Sequence, residues 1–193
     1  MRLDHYTTGT DYSCGASWLT QVLWFFGGSV LVQTHWIPFS AFKVWVLRRF
    51  GARIGRGVRI KPGVQVKFPW RLQVGDYSWL GENCWLDSND NIAIGEHVCI
   101  SQGVYLCTGN HDWSDPNFAL RCAPITIGRS SWIGAQARVG PGVTVGEGAV
   151  LTLGGVATRS LNPHTIYAGN PAVPIKTRKI TASPPKPEGS LAP

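Results

Sequence analysis

The chain has 193 residues, enough for one domain with a hydrophobic core and too few to suggest several. With 23 glycines, 13 prolines, 44% hydrophobic and only 15% charged residues, it is neither a disordered chain nor a helix bundle, and a compact, turn-rich β architecture is expected. The formal net charge of +7 does not make it a nucleic-acid binder, because Lys and Arg are scattered, with small groups only at Arg48 and Arg49 and at Lys176, Arg178 and Lys179. A modest positive field suits a smaller polyanion such as a nucleotide-containing cofactor.

The first element is the apolar run "WLTQVLWFFGGSVLV", from Trp18 to Val32. It is shorter than the roughly 20 residues needed to span a bilayer, though it can lie in an interface. A secretory signal is a poorer match: Arg2 is answered by Asp4, and "THWIPFS" offers no small-residue cleavage site, so the segment reads as retained. Next, "AFKVWVLRRF" at 41–50 carries Phe42, Val46, Leu47 and Phe50 at helical spacing and is expected to cap the structure that follows. The five cysteines, Cys14, Cys84, Cys99, Cys107 and Cys122, are odd in number and include no C-x-x-C pair. That argues against a disulfide framework and a structural zinc site, and for a reducing, cytoplasmic home.

From Ile54 onwards the chain repeats. An aliphatic residue followed by glycine recurs at Ile54, Val74, Ile94, Ile127 and Val145, and further aliphatics follow each at steps of six: Ile60 and Val66, Leu80 and Leu86, Ile100 and Leu106, Ile133 and Val139, and Leu151. The fifth position of many hexads is small or β-branched, as at Val58, Ser78, Cys84, Val104, Ala137 and Ala149, so both positions must face inward. Strands of about 4 residues closed by two-residue corners, three per coil, make a prism filled with stacked aliphatics. Glycines relieve crowding or supply unusual φ at the corners, and the open edges of each coil are satisfied only by the next.

The spacings also locate insertions. From 54 to 74 and from 74 to 94 is 20 residues each, from 127 to 145 is 18, but from 94 to 127 is 33, which is 15 more than an 18-residue coil. The excess lies in "YLCTGNHDWSDPNFALRCAPITIG", Tyr105 to Gly128, a polar loop with one histidine thrown out from a regular rod.

Hexads of this form, a histidine-bearing loop and the ending "PHTIYAGNPAVPIK" resemble the hexapeptide-repeat acyltransferases. Within that family the segments "IKPGVQVKFPWRLQVGDYSWLGENCWLD" and "VCISQGVYLCTGNHDWSDPNFAL" look like the colanic acid biosynthesis acetyltransferases of exopolysaccharide clusters, over roughly Trp18 to Lys179. The resemblance implies a left-handed parallel β-helix, a homotrimer with each site between two prisms, and transfer of an acetyl group from acetyl-CoA to a hydroxyl, often on a sugar. It divides the chain into an N-terminal apolar and helical segment at 1–51, a β-helix acyltransferase domain at 52–179 with its loop at 107–124, and a Pro-rich, disordered tail at 180–193.

A neutral alcohol is a poor nucleophile at pH 7 and needs a base poised near neutrality, for which imidazole is the obvious group. The family places it in a Thr-x-x-His pattern, here Thr108 to His111, making His111 the expected catalytic base in direct attack on the thioester. A backbone N–H would steady the oxyanion. Cys107 reads as a corner filler, not as an acyl carrier. For acceptor recognition the resemblance points to Asn83 and Asp87, and to Asp112 and Trp113 beside the base, although Asp87 and Asn89 can equally serve only to close a corner. Similar prisms in γ-class carbonic anhydrases gather three histidines on zinc. Here His5, His35, His97 and His164 offer no matching His-x-x-x-x-His pair, so no metal is expected.

Acetyl-CoA is expected along the later coils. Carried over position by position, Trp132 and Ala135 flank the pantetheine path, Leu153 and Gly154 line it, Thr158 and Arg159 approach the nucleotide, and Lys176 and Arg178 meet phosphates. The family usually reads Gly-Ala-Gly-Ser where this chain has "LTLGG" at 151–155. A sugar or lipid-linked oligosaccharide is the expected acceptor partner; the apolar N-terminal segment is open to two readings, packing against the solenoid or a neighbouring subunit, or peripheral contact with the inner face of the membrane. The opposing reading is a non-catalytic scaffold or sugar-binding module.

Overall fold

The computed structural model of the chain describes residues 3–6, 8 and 12–180. The expected disordered tail lies, from residue 181 onwards, outside the described residues.

Both inward positions of the hexads are buried, and this is what closes the chain into a prism. Ile60, Leu80, Ile100, Ile133 and Leu151 stack in one column, each in register with the next and each fully buried. Burying an aliphatic side chain of that size contributes about 1.5–3 kcal/mol over leaving it exposed. The fifth-position residues Val64, Ser78, Cys84, Val104, Ala137 and Ala149 are buried beside them. Three parallel sheets result. The first face stacks Arg53–Ile54, Leu72–Val74, Ile92–Ile94, Ile125–Ile127 and Thr144–Val145. The second runs from Arg59–Ile60 through Trp132–Ile133 to Thr165–Ala168, which the antiparallel strand Val173–Thr177 closes. The third stacks Gln65–Val66, Trp85–Asp87, Tyr105–Cys107, Arg138–Val139 and Val156–Ala157.

Coil-to-coil contact explains the glycine after each aliphatic. A methyl group at Gly128 would sit 2.6 Å from the Glu147 backbone nitrogen, and one at Gly75 would sit 2.5 Å from that of Glu96. Gly128 N–H donates to the Val145 carbonyl at 2.7 Å, so the coils cannot separate to make room. The corners depart from expectation in one respect. The left-handed position on the edge between the first and second faces is glycine at Gly57 and Gly148, but Tyr77, His97, Ser130 and His164 occupy it in other coils with φ of 50–56°. Hydrogen bonds between successive corners, such as Tyr77 N–H to the Arg56 carbonyl at 2.8 Å, hold that conformation in place.

The open end of the first coil is covered by three helices: α1 (Trp18–Leu23), continued through a π turn (Trp24–Gly28) into α2 (Ser29–Gln33), and α3 (Ser40–Arg49). Ser17 caps α1 by accepting from Thr20 N–H at 3.2 Å. The Trp24 indole N–H donates to the Lys67 carbonyl at 2.9 Å, and the ring packs edge-on to Phe50 at 5.1 Å. On α3, Val44, Val46 and Leu47 are buried, while Phe42 and Phe50 lie at the margin. The Arg48 guanidinium donates to the carbonyls of Ile54 and Gly55, and the buried Lys43 ammonium to those of Val32 and Thr34. Among the described residues no helix is long and apolar enough to cross a membrane.

Candidate active site

All three insertions fall on one edge of the prism. The two extra residues of each of the first two coils lie after Val66 and after Leu86, and the long insertion lies after Leu106, so each interrupts the passage from the third face to the first. In the third coil that passage becomes a hairpin, Gly109–His111 paired antiparallel with Leu120–Cys122, and His111 faces Leu120 in the register.

The base of the hairpin is set by Thr108, which is fully buried. Its hydroxyl donates to the Asp87 carbonyl at 2.7 Å and accepts from Asp90 N–H at 2.8 Å, tying the hairpin to the bend of the coil below. At the end of the hairpin strand, His111 Nδ1 lies 2.9 Å from the Phe118 carbonyl oxygen. A carbonyl can only accept, so Nδ1 carries a proton, and in the neutral imidazole the lone pair then lies on Nε2. Phe118 holds φ at 53°, a left-handed conformation that turns its carbonyl towards the imidazole, and its ring stacks on the imidazole at 4.2 Å with 4° between planes. Tyr6 meets the same imidazole edge-on at 5.7 Å.

Asp112, next along, organises the hairpin tip. Its carboxylate accepts from Ser114 N–H at 3.0 Å and the Ser114 hydroxyl at 2.6 Å, and it pairs with Arg121 at 3.5 Å. The Ser114 hydroxyl, then the Ser114 N–H and Arg121, hold its carboxyl below the usual carboxylate range. Trp113 is 82% exposed at the tip.

Asp87 is buried one coil below. Its carboxylate meets the Lys67 ammonium at 3.3 Å, accepts from Asn89 Nδ2 at 3.1 Å and from the Tyr105 hydroxyl at 3.0 Å, and faces the Cys107 thiol at 3.9 Å. Burial foremost, then the Cys107 thiol and the Asp87 charge, push the Tyr105 phenol far above its ordinary value, so it stays a neutral donor. Asn89 in turn accepts from the Tyr12 hydroxyl at 3.2 Å. This corner network was legible only as the pair Asp87 and Asn89. Lys67 and Tyr105 join it through coil stacking, at the coil spacing that the repeat carries, and Tyr12 through N-terminal wrapping, which leaves no mark in the sequence. The Phe118 carbonyl was likewise unmarked.

Asn83 stands apart from His111. It sits at the left-handed corner, φ 56°, that precedes the strand Trp85–Asp87, on the edge between the second and third faces. Ala135, Leu153 and Gly154 share Asn83's edge, with Gly154 N–H donating to the Ala135 carbonyl at 2.9 Å. The Trp132 indole, half-exposed on the adjoining face, donates to Ser101 Oγ at 2.9 Å. Leu153 is 76% exposed, and nothing lies within 4 Å of where a Cβ on Gly154 would be, so this edge is an open ledge. Thr158 and Arg159 are exposed on the His111 edge instead. Lys176 is exposed on the closing strand, while the Arg178 guanidinium donates to the carbonyls of Ser130 and Gly148 at 2.7 and 3.0 Å. The eight expected cofactor residues are therefore spread around one prism, over its edges and its second face. Among the described residues no three His, Cys, Asp or Glu side chains gather as a metal site.

No protein-family model matches the chain. Over 166 residues, 80% of this chain and 91% of the relative, it is 38% identical to the protein named "Putative colanic acid biosynthesis acetyltransferase WcaF" in Escherichia coli (strain K12). The chain belongs to the hexapeptide-repeat acetyltransferases. A second member, the galactoside O-acetyltransferase of the same organism, is 28% identical over 134 residues, 68% of this chain and 66% of the relative. The fold is the left-handed parallel β-helix of the family. It superposes with a TM-score of 0.76 on the hexapeptide-repeat acetyltransferase VCA0836 of Vibrio cholerae O1 biovar eltor in complex with acetyl coenzyme A, at 24% identity over 86% of this chain and 92% of that one. In this chain the histidine hairpin and the open ledge lie on two different edges.

Proposed function

We propose that this acetyltransferase moves an acetyl group from acetyl-CoA to a sugar hydroxyl in exopolysaccharide (colanic acid-like) biosynthesis, with His111 as general base. The observation that carries this reading is the tautomer of His111: Nδ1 is tied to the Phe118 carbonyl, so Nε2 is the atom able to take a proton. The acceptor hydroxyl gives its proton to Nε2 as its oxygen attacks, and His111 returns that proton to the departing thiolate. Acetyl-CoA, when bound, supplies the activated acetyl group as a thioester. The Phe118 ring and Tyr6 hold the imidazole plane, and Trp113 offers a flat face to a sugar ring.

The open ledge of Trp132, Ala135, Leu153 and Gly154 fits an extended pantetheine arm, because it is apolar and no side chain fills the space over Gly154. The ledge and the hairpin lie on different edges, with the third face of the prism between them. That separation supports a homotrimer in which the ledge of one protomer meets the histidine of its neighbour. Asn83, on the ledge edge, then reaches an acceptor held across the same junction, with Asp87 and Asp112 on the histidine side. Arg159 and Lys176, exposed and free of carboxylate partners among the described residues, are the cations that reach phosphates. Arg178 serves the corner carbonyls instead.

The test is free-thiol release from acetyl-CoA with a panel of sugars and lipid-linked oligosaccharides, for the wild-type protein and His111→Ala. Acceptor-dependent release that vanishes in His111→Ala, with acetyl-CoA binding retained, is the expected outcome. A protein that fails to bind acetyl-CoA would be a scaffold or a sugar-binding module.

A further inference from the structure

The helical cap is apolar on more sides than the prism covers. Between Trp18 and Gln33 the residues buried against the first coil are Trp24, Gly28 and Val32, spaced i, i+4 and i+8 along one stripe. A helix covered along one stripe is ordinarily polar elsewhere. Here Leu19, Leu23, Phe25, Phe26, Val30 and Leu31 point away from the stripe and are exposed, Phe26 at 73%. Trp36, at 94%, and Phe39 continue the patch along the link to α3, and Trp45 extends it onto α3 itself. A contiguous apolar surface of this kind marks an interaction site.

Charge on the same end identifies the occupant. From 12 to 75 the chain contains nine Lys and Arg and no Asp or Glu. Several of these are engaged within the fold: Lys43 and Arg48 on carbonyls, Arg56 with Asp76 at 2.9 Å, Lys67 with Asp87 at 3.3 Å. Arg49, Arg53 and Lys61 are exposed and have no carboxylate partner among the described residues. Arg49 borders a groove of about 500 Å³ with Leu23, Leu31 and Trp45, so cation and apolar surface adjoin.

We propose that the cap docks on an anionic lipid bilayer, with Phe25, Phe26 and Trp36 entering the headgroup boundary and Arg49, Arg53 and Lys61 facing lipid phosphates. Aromatic residues at such a boundary keep an apolar body in the acyl region, and cations nearby add attraction to anionic headgroups. A second copy of the chain brings the same cations to the patch, so pairing through it opposes like charges, whereas an anionic surface complements them. The helices are too short to span, so they lie along the surface.

Co-sedimentation of the full chain with vesicles of phosphatidylcholine containing about 30% phosphatidylglycerol, and with pure phosphatidylcholine vesicles, tests this. The wild-type protein is expected to bind the mixed vesicles and to bind pure phosphatidylcholine more weakly. The Phe25→Ser, Phe26→Ser double variant should lose at least about ten-fold in partitioning to the mixed vesicles. The Arg49→Glu, Arg53→Glu, Lys61→Glu triple variant should lose the preference for phosphatidylglycerol. If the double variant does not fold, by circular dichroism, Trp36→Ser replaces it, because that ring is almost wholly exposed. Absence of wild-type binding to either vesicle overturns the proposal, as does unchanged binding by the folded variants. A fall in molar mass of the double variant by light scattering, with no wild-type vesicle binding, would assign the patch to a second copy instead.

Discussion

Replacing Thr108 by Val keeps the shape of a fully buried side chain and removes only the hydroxyl that ties the histidine hairpin to the coil below. Two hydrogen bonds go with it. The Asp87 carbonyl still accepts from Asn89 N–H at 3.0 Å, but Asp90 N–H has no other acceptor among the described residues and is left without one there. Leaving one part-buried donor unsatisfied costs about 1–3 kcal/mol. For a chain of this size that corresponds to a fall in Tm of about 2–12 °C in a thermal unfolding scan. Because the hydroxyl sets where the hairpin leaves the prism, kcat for acetyl transfer should fall as well, with acetyl-CoA affinity little changed. Thr108→Ser keeps the hydroxyl and is expected to retain most of the activity. A Thr108→Val protein as stable as the wild type, or Thr108→Ser and Thr108→Val losing kcat equally, would refute the idea that the hydroxyl bridge positions the hairpin.

His111→Ala should lower kcat by about 10²–10⁴-fold with acetyl-CoA binding intact by calorimetry; a smaller loss would assign proton transfer to another group. Gly154→Ala meets nothing in its own chain, so apart from about 1–2 kcal/mol for a left-handed alanine its effect should be a raised Kd for acetyl-CoA, and an unchanged Kd would remove the ledge from the cofactor path. Gly128→Ala forces a Cβ to within 2.6 Å of the Glu147 nitrogen and should destabilise the protein by about 1–3 kcal/mol in denaturant titration, with little effect on the hairpin itself. The Asp112 carboxyl, held below its ordinary 3.8 first by the Ser114 hydroxyl, contributes its anchoring of the hairpin tip fully above pH 3.8 and loses it as pH falls through the lower folded value. An NMR titration of that carboxyl with a midpoint at or above 3.8 would contradict the contacts seen at the tip.

The repeat from Ile54 to Leu151 determines the prism by itself, because a six-residue period of inward aliphatics has few other ways to bury itself. The same arithmetic put the 15 surplus residues beyond Leu106, in the loop that carries His111, and the resemblance made that histidine the expected base. A cap over the first coil was also legible, from the helical spacing of Phe42, Val46 and Leu47. What the sequence left open depends on contacts between residues far apart in the chain. The tautomer of His111 rests on the carbonyl of Phe118, and a carbonyl has no residue identity to read. Asp87 reads as an acceptor contact or a corner residue with equal ease, until stacking brings Lys67 from the coil below and Tyr105 from the coil above to its carboxylate. Arg178 reads as a phosphate ligand until the closing strand delivers it to the Ser130 and Gly148 carbonyls. Periodicity is a local property that each hexad carries by itself, so it survives in one dimension; which edge a residue occupies, and which groups its polar atoms meet there, is decided only when the coils stack.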